Sequence, residues 1–138
     1  MAMTRHEFQT LARMRLQDAR VLMRSGNFEA AYYLTGLAVE CALKACIAKN
    51  TKRYDFPPKR KTIDSIYSHE LGPLINAAGL QQAFVEETSK NSSLKNSWAV
   101  VKDWNIEKRY VTKGLNGRDL YAAVAGRGGV MQWLRQRW

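Results

Sequence analysis

The sequence predicts an all-α fold, an antiparallel four-to-five-helix up-and-down bundle. Three observations predict it. Apolar residues recur at three- and four-residue steps between Phe8 and Met23. Ser25-Gly26-Asn27 then breaks the chain over a span just long enough to reverse it. The stretch that follows, Phe28–Asn50, is apolar around most of its axis, the pattern of a helix at the centre of a bundle or between a bundle and a partner subunit.

The first helix is expected over about Arg5 to Arg24. Thr4 and Glu7 form a T-x-x-E capping box at its start. Phe8, Leu11, Ala12, Leu16, Ala19, Leu22 and Met23 make the apolar stripe, with Arg13, Arg20 and Arg24 off it. Gly26 suits the position after the helix end and Asn27 the next N-cap. Asn50 to Lys61 reads as a basic loop containing Pro57-Pro58. A short third helix is expected to start at Ser68 or His69 and to end at Gly79. A fourth helical region covers about Gln81–Asp103, with a polar middle that allows two pieces. Trp104–Gly114 has no clear period. Asn116 and Asp119 read as an N-cap pair opening a last helix through Leu134, weakened or bent by Gly126–Gly129.

The 138 residues fit one domain, 1–138. The net charge of +10 is uneven. Residues 49–61 hold six cations against Asp55, and residues 99–138 hold eight against three acids. Such a surface attracts polyanions. Cys41 and Cys46 lie about 140° apart on one helix, so they do not bridge. They read as buried thiols in a reducing compartment. No Cys/His metal spacing occurs, and no metal or cofactor is expected. Ala30–Ala48 raises a membrane question. Glu40 and Lys44 inside it favour a buried helix over a span. With a charged N-terminus and no apolar leader run, the expected location is cytoplasmic.

Several of these residues together resemble the HEPN family of small helical bundles. They are Leu16, Ala19, Leu22, Gly26, Phe28, Ala31 and Tyr32, the run Ala38-Val39-Glu40-Cys41-Ala42-Leu43-Lys44-Ala45, and the later His69-Glu70-Leu71. Lys108-Arg109-Tyr110 is a weaker echo. The resemblance implies a helical bundle, usually a homodimer. It also implies a role as a metal-independent ribonuclease of toxin–antitoxin and defence systems, as a companion of a nucleotidyltransferase, or as a non-catalytic RNA- or nucleotide-binding module.

The ribonuclease branch carries an Arg, then four to six residues, then a His, on one helix. The His moves the 2′-OH proton and the Arg stabilises the phosphorane charge. Here His6 is preceded only by the adjacent Arg5. The positions where His69 needs an Arg hold Thr62, Ile63 and Asp64. The expected function is therefore RNA or nucleotide binding without strong catalysis. A ribonuclease with an altered site, using His69, is the alternative.

The candidate binding residues fall in three groups. Glu40 and Lys44 stand at i,i+4, which is an ordinary helix ion pair or a polar pair lining a cleft. Lys52, Arg53, Lys59, Arg60 and Lys61, interleaved with Tyr54 and Phe56, suit phosphate tracking and base stacking, or simply a solvated loop. Lys108, Arg109 and Tyr110 lie in the second basic block, with Arg109 the favoured phosphate contact. Trp104 and Trp133 are expected in the core.

Overall fold

Helices α1 (Arg5–Arg24) and α2 (Phe28–Asn50) form an antiparallel hairpin with the broadest interface among the described elements. The computed structural model describes residues 3–50, 64 and 67–138. Among them every regular element is helical. The Thr4 hydroxyl accepts from the Glu7 N–H at 3.1 Å, and the Glu7 carboxylate accepts from the Thr4 N–H at 2.7 Å. At the other end Gly26 takes φ +80°, a left-handed conformation that a Cβ would strain. The Gly26 N–H donates to the Met23 carbonyl and the Asn27 N–H to the Leu22 carbonyl. This Schellman turn satisfies the last carbonyls of α1 and starts the chain back.

α2 is the spine. Ala38 to Leu43 are six consecutive buried residues, and at about 100° each they cover its circumference. By length and composition this helix could cross a membrane, yet most of its apolar window is buried against the rest of the fold. Thr35, buried within it, donates its hydroxyl to the Ala31 carbonyl at 2.7 Å. Cys41 and Cys46 are buried and free.

The remaining helices pack round that spine: α3 (Leu71–Ala77), α4 (Gln81–Lys90), α5 (Ser92–Val101), a 3₁₀ turn (Ile106–Tyr110), α6 (Gly117–Ala125) and α7 (Val130–Arg135). α3, the 3₁₀ turn, α6 and α7 all touch α2. Asn50 at the end of α2 donates to the Ala78 carbonyl at 2.6 Å and ties α3 to it. Phe84 packs edge-on against Trp98 and Trp133 at 5.0 and 5.2 Å between centroids. Trp104 is 1% exposed and Trp133 is buried, so both indoles belong to the core. A Cβ on Gly36 would fall inside the Trp104 ring, so only glycine admits this indole to α2.

Three segments differ from the sequence expectation. The third helix starts at Leu71, not at Ser68 or His69. The Ser68 hydroxyl accepts from the Glu70 N–H at 3.0 Å, a local turn that holds His69 outside the helix. The fourth region is two helices, because Asn91 is extended and its side chain caps α5 through the Leu94 N–H. The last helix is not bent but interrupted. Gly128 takes φ +74°, and the Gly129 N–H closes a turn on the Gly126 carbonyl.

Candidate functional site

The most concentrated polar chemistry in the described residues sits on the middle of α2. Helix periodicity places Lys44 one turn after Glu40, and its Nζ lies 3.4 Å from Glu40 Oε2. The Ser68–Glu70 turn brings His69 to the same carboxylate, with Nδ1 2.8 Å from Glu40 Oε1. Glu40 is only 5% exposed. Its burial would be costly without partners, and it has two cationic or proton-donating ones. Lys44 is largely enclosed, whereas the His69 side chain is about half open, at 46%.

The carboxylate accepts, so His69 Nδ1 carries the hydrogen and Nε2 is the basic nitrogen of the neutral ring. An imidazole oriented in this way can take up or deliver a proton at Nε2. Next to it on α2, burial pushes the Cys41 thiol up to about 11, with the Glu40 charge adding to the effect. Cys41 is thus a neutral core group and no nucleophile.

Two further arginine–ring pairs stand apart from that cluster. Arg109 lies over the Tyr110 ring at 4.8 Å, and Arg118 lies over the Phe28 ring at 4.7 Å. Interaction with the Tyr110 side chain raises the Arg109 pKa further above its ordinary value. Tyr110 is 68% exposed. The 3₁₀ turn that carries Lys108 and Arg109 is held to α2 through Trp104, which stacks on Tyr33 at 6.1 Å. A recess of about 440 Å³ opens beside Phe28 and Arg118.

The structure joins Glu40, Lys44 and His69, and keeps Lys108, Arg109 and Tyr110 together in the 3₁₀ turn. Lys52, Arg53, Lys59, Arg60 and Lys61 lie outside the described residues. Sequence reading missed the Phe28–Arg118 stack. No local signal joins residues ninety positions apart, although the Asn116–Asp119 cap fixes where α6 begins. It also missed a groove of about 260 Å³ lined by Asn91, Arg127, Gln132 and Trp133, which shares no residue with the α2 polar cluster. Among the described residues no group of His, Cys, Asp and Glu has the arrangement of a metal site.

A helical hairpin with a largely enclosed second helix, a buried glutamate on it and a histidine turn reaching that glutamate defines a small α-bundle of mixed polar and apolar spine. The family model for the HEPN domain matches residues 9–120. The chain belongs to the HEPN family. Searches of curated proteins and of solved structures gave no significant match.

Proposed function

We propose that this HEPN domain is a binding module for RNA or a nucleotide, working as a homodimer in the cytoplasm. The observation that carries the reading is the union of a HEPN bundle with a net charge of +10. Cations track phosphate groups and release counterions when they bind. Lys108, Arg109 and Tyr110 supply one contact surface, and Lys52, Arg53, Lys59, Arg60 and Lys61 a second. Glu40 serves from inside, holding Lys44 and His69 in place. Titration of fluorescent RNA at two salt concentrations tests the reading. Binding at low salt that weakens steeply with added salt is expected. No binding at low salt, or binding indifferent to salt, would remove it. The same surface would suit a nucleotidyltransferase partner carrying bound nucleotide, which co-purification with such an enzyme would reveal.

The His69–Glu40 contact favours a second reading, a metal-independent ribonuclease with an altered site. His69 Nε2 would take the 2′-OH proton, O2′ would attack phosphorus, and the 5′-oxygen would leave with a proton from the protonated imidazole or water, with Lys44 offsetting the added charge. This reading expects RNA cleavage in the presence of a chelator and its loss in His69→Ala. Intact RNA after long incubation with the unaltered protein would eliminate it.

A further inference from the structure

We infer that the Arg118–Phe28 stack and its recess form a binding position for an unpaired nucleobase, with Arg109–Tyr110 as a second, separate stacking position. The inference rests on the RNA-binding reading above and names the part of the ligand that this end of the molecule takes.

Four arginines lie over aromatic rings in the described structure, and they divide into two kinds. Arg137 and Arg13 cover Trp133 and Trp138, whose rings are buried. Those two rings are core residues, and their arginines cover them from outside. Arg118 and Arg109 are exposed and cover Phe28 and Tyr110, rings that are half-buried and exposed respectively. An exposed guanidinium held over a ring can offer its other face to a ligand. A planar base can stack on that face while the N–H groups at the edge reach a phosphate.

The platform is built rather than accidental. Gly117 presses against the Phe28 backbone so closely that a Cβ would collide with the Phe28 carbonyl, which sets the start of α6 on the start of α2. Asn116 locks that start: its Oδ1 accepts from the Asp119 N–H at 3.0 Å and its Nδ2 donates to the Asp119 carboxylate at 2.8 Å. The recess of about 440 Å³ is walled by Gly114, Leu115 and Asn116 on this fixed segment. Its surroundings are cationic, with Lys108, Arg109, Lys113 and Arg118 against the single carboxylate of Glu107 between residues 105 and 118. Stacking needs a free π-face, which a single strand offers and a duplex withholds.

Three labelled ligands test this: a short oligouridylate, the same sugar–phosphate backbone without bases, and a duplex of equal length. Fluorescence anisotropy would be read for the full chain and for Arg118→Lys and Tyr110→Ala. Arg118→Lys keeps the charge and loses the planar stack, and both positions are exposed, so matching thermal unfolding curves are expected. The unaltered chain should bind the intact strand more tightly than either the abasic strand or the duplex. Arg118→Lys should weaken the intact strand by at least about fivefold, the lower end of one base stack, with the abasic strand unchanged. Equal affinity for intact and abasic strands overturns the stacking position and leaves the phosphate-binding reading standing. An Arg118→Lys protein that binds like the unaltered one also overturns it. Failure to bind any of the three ligands overturns both.

Discussion

Glu40 and His69 are 29 residues apart in sequence and 2.8 Å apart in space, joined by the contact that fastens the Ser68–Glu70 turn to the spine helix. Glu40 is therefore the hinge of a three-residue cluster, not half of a simple surface pair. Glu40→Ala leaves Lys44 enclosed without its counterion and His69 without its acceptor. A loss of about 2–4 kcal/mol is expected, below the full cost of breaking a buried pair because His69 is half exposed. Glu40→Gln keeps the shape and should cost less. Urea unfolding of the three proteins measures this, and an alanine variant as stable as the parent would contradict it.

How much of this cluster could be read beforehand follows from the range of its contacts. Lys44 was visible, because i,i+4 pairing is local to one helix. The sequence marks His69 as a candidate without indicating its partner. The approach of residue 69 to residue 40 depends on how α3 packs on α2, which no pattern in either segment encodes. The same division holds for the fold. The capping box at Thr4 and the glycine turn at Gly26 were legible because each is satisfied within a few residues. The helix start at Leu71 was missed because Ser68 bonds to the Glu70 backbone and withholds those residues from the helix. Gly126–Gly129 reads in the sequence as a weakness or a bend, not as a stop. Its severity depends on the left-handed conformation at Gly128, and sequence alone does not choose between a bend and a stop.

The fit of Trp104 against Gly36 gives a second expectation. Gly36→Ala puts a methyl group into the indole, and neither can retreat easily inside a filled core. A destabilisation of about 1–3 kcal/mol is expected, as for other overpacked sites. Combining it with Trp104→Leu should cost less than the two separate losses added together. Strict additivity in denaturant unfolding would show that the two residues do not meet.

Burial raises Cys41 and Cys46 from about 9 to about 11. A raised thiol pKa means the folded chain keeps these protons longer than the unfolded chain does. Their contribution is complete below about pH 9 and falls away as pH climbs toward about 11. Stability measured across that window should decline, and replacing both cysteines with alanine should flatten part of the decline. At neutral pH the native thiols should resist iodoacetamide and react only as the chain unfolds. Fast labelling of the native protein would refute the assignment.

Asn116 joins cap chemistry to the Arg118 position. Asn116→Ala removes the acceptor for the Asp119 N–H and should cost about 1 kcal/mol. Asn116→Asp retains the acceptor and should recover most of it. Thermal unfolding separates the two, and equal losses would mean the cap contributes nothing.

The notch at Gly36 has a thermodynamic consequence for whatever binds near Arg109. Because the indole of Trp104 is sunk into the spine helix, the turn that begins two residues later is an outgrowth of the core rather than a tether. A ligand arriving there meets side chains whose backbone has already surrendered its freedom during folding. Less ordering entropy then remains to be lost on association, and more of each contact's energy survives as affinity.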